Sequence, residues 1–247
     1  MGDKRPVARS GKNEGMVDYS TAQALQPGIG STPYVPVGEE RKCAYLDRVA
    51  TLPKVFTPDE CTQIINTGLN NWEEQKGKIQ VDLKGGKVEQ NFEDDFDYRN
   101  TTLYVPPEPD EWLFSKILDS IMNFNNHETG YQFGIKGLAE PPNLMRYQSE
   151  DLDKNGKPGK YDWHMDIGPG AVPSMRKLSY SLLLNPGEYE GGELYFHTGR
   201  NIDEPYPGQD QIGSMIVFPS YLVHKVSSIT KGTRYSIVGW AHGNSFF

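Results

Sequence analysis

The chain has 247 residues and a formal charge of −8, with 25 Lys and Arg against 33 Asp and Glu. That balance disfavours a nucleic acid as the primary partner, because such binding draws on a basic surface. No apolar run approaches the roughly 20 residues that a membrane helix needs, so no membrane partner is expected. Two cysteines, Cys43 and Cys61, make no disulfide framework. The opening residues Met1-Gly2-Asp3-Lys4-Arg5-Pro6 show no apolar leader core, and a reducing, cytoplasmic setting is the expectation.

Residues 1–41 are rich in Gly, Pro, Ser and charge and lack apolar periodicity. They are predicted to be a tail, flexible or draped on a domain spanning 42–247, with partner docking or a lid as the functional alternative. Val49 to Phe56 reads as a strand leading into a helix. Thr57-Pro58-Asp59-Glu60 fits a capping box, and Cys61, Ile64, Ile65 and Leu69 follow at helical spacing. Ile79 to Val88 alternates around Gly85-Gly86, a hairpin signal. The acidic run from Glu93 to Asp97 reads as a solvated loop, Arg99 to Val105 as a strand, and Asp110 to Phe124 as a second amphipathic helix.

Beyond that helix, short strands separated by turn residues are predicted near 143–147, 161–166, 177–184, 193–197, 213–218, 222–226 and 233–240. Helices first and many short strands later make the chain α+β, with a sandwich, jelly roll or barrel at its core. The loop Asp151-x-Asp153-x-Asn155-Gly156, with Asp162 at the twelfth position, imitates a calcium loop. Its last ligand position holds Asp rather than Glu, and Asn155-Gly156 suffices for a tight turn, so the turn reading is preferred.

Chemistry concentrates in Tyr161-Asp162-Trp163-His164-Met165-Asp166. On a strand, alternation puts His164 and Asp166 on one side and turns Trp163 and Met165 the other way, into packing. His224 can join them from a facing strand. Two imidazoles and one carboxylate make a facial triad, which leaves three adjacent positions open on a non-haem Fe(II). A structural zinc site would close with a fourth protein ligand, and no thiolate pair is available for that. Arg234 meets a second need. A ketoacid bound to the metal and carrying a carboxylate at its far end needs a bidentate cation, which guanidinium supplies. Ser236 shares a strand face with Arg234, and Tyr147 can offer a phenolic donor to the same molecule.

These motifs resemble those of the prolyl-4-hydroxylase-like Fe(II)/2-oxoglutarate dioxygenases and, within them, the PKHD-type hydroxylases of bacteria and phage. The likeness runs from about Leu52 to Trp240. Its specific parts are Asn143-Leu144-Met145-Arg146-Tyr147, Tyr161-x-x-His164-x-Asp166, Leu178-Ser179-x-Ser181-Leu182-Leu183-Leu184-Asn185, Tyr189-Glu190-Gly191-Gly192-Glu193-Leu194, and Phe218-Pro219 followed by His224, Arg234 and Trp240. The resemblance implies a double-stranded β-helix (jelly roll) with N-terminal helices packed on one sheet. It implies His164, Asp166 and His224 as iron ligands, Arg234 on the distal carboxylate of 2-oxoglutarate, and Tyr147 as a second contact. Ser236 is added from strand geometry alone. Some relatives place a tyrosine on the strand matching Leu182-Leu183-Leu184, which this chain lacks.

The activity implied is hydroxylation of an unactivated C–H bond using O2, with release of succinate and CO2 and with ascorbate as a rescuing reductant. A peptide, protein or small molecule is the expected substrate, and a prolyl or other peptidyl residue a candidate target. Two alternatives remain open at this point. One is a non-catalytic β-helix binding module that keeps the metal site; the other is a cupin-like enzyme, which has no use for Arg234. His127, His197 and His242 read as structural or peripheral. Arg99, Arg146 and Trp240 read equally well as facing a substrate or as packing.

Overall fold

Both helices fall in the N-terminal part of the described chain, interleaved with six short strands, and strands dominate after them. The computed structural model describes residues 48–81, 91–93, 95–198 and 204–245. Its elements in order are β1 (Ala50–Leu52), α1 (Pro58–Asn71), β2 (Glu73–Lys76), β3 (Ile79–Val81), β4 (Asn91–Glu93), β5 (Arg99–Asn100), β6 (Thr102–Val105) and α2 (Glu111–Asn126). They continue with β7 (Ile135–Gly137), β8 (Asn143–Gln148), β9 (Lys160–His164), a 3-10 turn (Pro173–Met175), β10 (Arg176–Leu183) and β11 (Tyr189–Gly191). The last are β12 (Leu194–Phe196), β13 (Met215–Pro219), β14 (His224–Val226) and β15 (Ile229–Gly243). The described fold is mostly sheet with two helices. The expected tail at 1–41 and the Gly85-Gly86 turn lie outside the described residues.

Helix α1 starts where the capping box placed it. Thr57 Oγ1 accepts from the Glu60 amide at 3.3 Å, and Glu60 Oε2 accepts from the Thr57 amide at 2.8 Å. Cys61, Ile64 and Gly68 form its buried stripe. Gly68 is small because a Cβ there would lie 2.4 Å from Leu144 Cδ2, so the helix seats directly on β8. Helix α2 buries Leu113, Ile117 and Ile121 in the same core.

The larger sheet runs β1-β13-β10-β15-β8-β6-β2, with β7 and β11 also paired to β15. The smaller runs β12-β14-β9-β5, and β3 pairs β4. Period-two alternation sorts the large sheet into two faces. Leu178, Tyr180 and Leu182 of β10, Met215 and Val217 of β13, and Ile237 of β15 pack with the helices. Their neighbours Leu183, Ile216 and Phe218 join Leu194, Phe196 and Val226 of the smaller sheet in a second core. On that inner face β15 also carries Arg234, Ser236 and Trp240, and β10 carries Ser179 and Ser181.

Three expectations need correction. Strand β9 ends at His164, so Asp166 is not on it. The register against β14 shifts, with His224 opposite His164 but Val226 opposite Tyr161, which inserts an extra residue into β9. That bulge brings Tyr161 and His164 onto one face despite their separation of three. Met165 is 54% exposed rather than packed behind the metal pair, because it follows the strand end. The hairpin pairing also runs further than Ile79 to Val88: Val81 pairs with Asn91, and Ile79 with Glu93.

Candidate active site between two antiparallel sheets

His164 and His224 are register partners on adjacent strands, with ring centroids 4.2 Å apart. His164 Nδ1 lies 2.7 Å from the Asp162 carbonyl, and His224 Nδ1 lies 2.9 Å from the Leu222 carbonyl. A carbonyl only accepts, so each Nδ1 carries a proton and each Nε2 is turned into the site. Both Nε2 atoms face Asp166, whose Oδ1 is 3.8 Å from His164 Nε2 and whose Oδ2 is 3.5 Å from His224 Nε2. The three donor atoms lie within 4.8 Å of one another, the only such cluster among the described residues.

Asp166 reaches this position from an irregular segment that is pinned in place. Its amide and that of Ile167 both donate to the Ser220 carbonyl, at 3.0 and 3.2 Å. Ser179 Oγ donates to Asp166 Oδ2 at 2.6 Å. Burial alone would raise the Asp166 carboxyl, but the facing His224 and His164, with the Ser179 hydroxyl, hold it below the usual carboxylate range. Burial, then the neighbouring His224, push His164 down to about 3. At neutral pH Asp166 is therefore a carboxylate and His164 a neutral imidazole, which are protonation states that bind a metal.

Arg234 projects from β15 into the same cavity, which is lined by His164, Asp166, His224, Tyr147 and Ser181 among others. It is 1% exposed. Its Nη1 donates to Ser236 Oγ at 2.8 Å and its Nη2 to Ser181 Oγ at 3.5 Å, while Nε has no partner. No carboxylate of the described residues lies within 4 Å of the guanidinium. A buried cation left without a counter-charge is costly, and an anionic ligand resolves that cost. Tyr147 is Arg234's register partner, with its ring 5.5 Å from the guanidinium carbon, and burial raises its phenol above the ordinary value.

Gly192 explains part of the Gly191-Gly192 motif. It adopts φ +70, and a Cβ there would come within 2.3 Å of Ile229 Cδ1 and 2.9 Å of Arg234 Cδ. The chain passes against the arginine stem only because that side chain is missing. Asn185, which closes the Leu-Leu-Leu-Asn motif, accepts from the Tyr235 amide and donates to the Thr233 carbonyl, holding the backbone on both sides of Arg234.

All six sequence-derived candidates thus meet in one place: His164, Asp166 and His224 as a donor trio, Arg234 beside it, Tyr147 and Ser236 flanking the guanidinium. Ser236 serves the arginine as its acceptor. Ser179, Ser181 and Arg176 were missed. Both serines stood inside a motif noted for its resemblance, and projecting the alternation of β10 across to β15 would have aimed them inward. Arg176 donates from Nη1 to the Asp166 carbonyl at 2.9 Å, lies 3.5 Å over the Trp240 ring, and makes a bidentate pair with Glu140. The remaining histidines are peripheral. His242 is buried against Glu140, while His127 and His197 are exposed. The Asp151 loop is a turn in which Asp153 Oδ2 accepts from the Asn155 amide and Gly156 takes φ +62.

Comparison with known proteins points the same way. Residues 144–242 match the family model described as the 2OG-Fe(II) oxygenase superfamily. The resemblance to prolyl-4-hydroxylase-like Fe(II)/2-oxoglutarate dioxygenases therefore holds, and within that class it is to the PKHD-type hydroxylases. A PKHD-type hydroxylase of Synechococcus sp. (strain CC9311) is 35% identical over 108 residues, 43% of this chain and 46% of that protein. Another, from Gloeothece citriformis (strain PCC 7424), is 26% identical over 206 residues, 78% of this chain and 77% of that protein. The chain thus spans less than half the length of the first of these relatives. Among solved structures, a Pseudomonas putida prolyl-4-hydroxylase superposes with a TM-score of 0.56 at 14% identity, covering 83% of this chain and 96% of that one. A prolyl hydroxylase in complex with a hypoxia inducible factor oxygen degradation domain peptide fragment, from Trichoplax adhaerens, gives 0.56 at 16%, covering 81% and 86%. Those two likenesses are of fold.

Proposed function

We propose that the chain is an Fe(II)/2-oxoglutarate-dependent dioxygenase that hydroxylates an unactivated C–H bond, of a prolyl or other peptidyl residue, with release of succinate and CO2. One observation carries the reading: a two-histidine, one-carboxylate donor set shares a cavity with a buried guanidinium that has no carboxylate partner. His164, Asp166 and His224 would hold the iron and leave three adjacent positions for the ketoacid and O2. Arg234 would take the distal carboxylate of 2-oxoglutarate, with Ser181 and Ser236 aligning its donors and Tyr147 beside it. When bound, iron and cosubstrate supply the oxidation itself. The protein fixes both histidine tautomers, orients the carboxylate through Ser179, and lines the cavity with apolar groups such as Leu194, Phe218 and Val226 that keep water out.

The same reading extends outward. The two antiparallel sheets facing each other across the site are those of a double-stranded β-helix, with α1 and α2 backing the larger one. Peptide hydroxylation is favoured by the fold likeness to a prolyl hydroxylase whose structure contains a peptide. Ascorbate would restore iron oxidised in unproductive turnovers. No helix of the described residues is long and apolar enough to cross a membrane, and a cytoplasmic location is proposed.

The test is spectroscopic and then chemical. Anaerobic protein given Fe(II) and 2-oxoglutarate should develop the visible charge-transfer absorption of the chelate, and O2 should then produce succinate. Asp166→Ala should abolish both. Arg234→Ala should raise the 2-oxoglutarate concentration needed for the band by about 100-fold, the scale of a lost charge-assisted bidentate pair. Absence of both band and succinate from the unmodified protein would refute the reading.

A further inference from the structure

The cavity holds a second guanidinium whose donors are largely unspent. Arg99 comes from β5 on the smaller sheet, opposite in origin to Arg234 on the larger one, and both line the same space as His164 and Asp166. Its carbon lies 4.4 Å over the Tyr161 ring, its register partner, and that ring stacks on His164 with centroids 3.4 Å apart. The arginine is thereby fixed three layers deep against a metal-binding imidazole.

Its hydrogen bonding is incomplete. Nη1 donates to the Lys78 carbonyl at 2.8 Å, whereas Nε is buried without a partner. Gly77 allows this approach, since a Cβ there would meet Arg99 Nε at 2.7 Å. No carboxylate of the described residues lies within 4 Å of the guanidinium, and among the described residues the only carboxylate lining the cavity is Asp166, which faces the two histidines and Ser179. A guanidinium held rigid by stacking, with donors still free, is a preorganised anion receptor.

The two arginines differ in depth. Arg234 is almost wholly buried, whereas Arg99 is half-buried. A dianionic ketoacid chelated at the metal uses Arg234 for its far end, and Arg99 remains for whatever enters after it. We propose that Arg99 is the substrate-side anion anchor, and that the molecule oxidised carries a carboxylate or phosphate close to the reacting C–H bond. This rests on the dioxygenase reading above, because the order of filling assumes that the ketoacid takes Arg234.

Mn(II) in place of iron, with saturating 2-oxoglutarate, gives a non-reacting holoprotein whose metal relaxes nearby nuclei. Acetate and inorganic phosphate are the probes, followed through the acetate methyl protons and the phosphate phosphorus, so that the two anion chemistries are read separately. At least one should show paramagnetic relaxation that saturates with concentration. Arg99→Gln should weaken that binding by about tenfold, and Arg99→Lys, which keeps the charge but not the stacked fork, should recover only part of it. Equal relaxation in Arg99→Gln and unmodified protein, or none from either anion in the unmodified protein, would overturn the proposal. The Fe(II)–2-oxoglutarate absorption band, recorded on the same variants, separates the two readings. An intact band with Arg99-independent relaxation removes only this inference, while a missing band in the unmodified protein removes the dioxygenase reading.

Discussion

Ser179 stands directly behind the carboxylate of the donor trio, 2.6 Å from Asp166 Oδ2, and its hydroxyl also meets that of Ser220 at 3.0 Å. It is fully buried and hydrogen-bonds to neither histidine. With Oδ2 held by Ser179, Oδ1 would be the carboxylate oxygen left to turn toward a bound metal. Groups that orient ligands in this way typically contribute about 10- to 100-fold in metal affinity. Ser179→Ala is therefore expected to weaken Mn(II) or Co(II) binding within that range while leaving the far-ultraviolet circular dichroism unchanged; unaltered affinity would show that the backbone bonds to Ser220 suffice. The contrast with His164, His224 and Arg234 explains what was legible at this scale. An imidazole or guanidinium at a motif spacing has few other uses, so its type announces its role. A serine has many, and only its partner across the strand tells them apart.

Strands that bury one face were legible, and those that bury none were not. Strand β10 alternates between the helical core and the cavity, and its limits were found within a residue. Strand β2, Glu73-Glu74-Gln75-Lys76, is exposed along its whole length at a sheet edge, so no apolar period marks it. The bulge in β9 was hidden for a different reason. It exists only relative to the register of β14, some sixty residues away, and nothing local encodes it. The turn between β11 and β12 shows how such an element can govern chemistry. Gly192 holds a left-handed conformation against Ile229 and the stem of Arg234. Gly192→Ala combines backbone strain with a contact that pushes on Arg234, costing about 1–3 kcal/mol of stability. It should also weaken 2-oxoglutarate binding by more than it weakens metal binding. Titration of each ligand checks this, and equal losses would mean that the whole turn had collapsed.

Across the whole molecule, one carboxylate joins three parts of the chain that are remote in sequence. Glu140, just before β8, pairs with Arg176 at the start of β10 through Nε at 2.6 Å and Nη2 at 2.5 Å, and with His242 near the end of β15 at 3.0 Å. The same Arg176 donates to the Asp166 carbonyl, so this tie also braces the donor trio. Burial would raise the Glu140 carboxyl, but the hydrogen bonds from His242 and Arg176 and the charge of Arg176 outweigh it and hold it below the ordinary value. The sign of the pH dependence follows. With its folded value depressed, Glu140 contributes fully above the ordinary carboxylate range. That contribution is lost as pH falls through the range to the folded value, because the unfolded chain takes up the proton first. Glu140→Gln keeps the shape but removes the charge, and should cost about 1–3 kcal/mol at pH 7. Urea unfolding of the metal-free protein between pH 7 and pH 4 measures both effects. The gap between the two proteins should be widest at pH 7 and narrow as the pH falls below about 5, where the unmodified protein loses the advantage of its carboxylate. A gap that stays constant with pH would mean that Glu140 acts through shape alone, and that the brace on Asp166 rests on Arg176 without its partner.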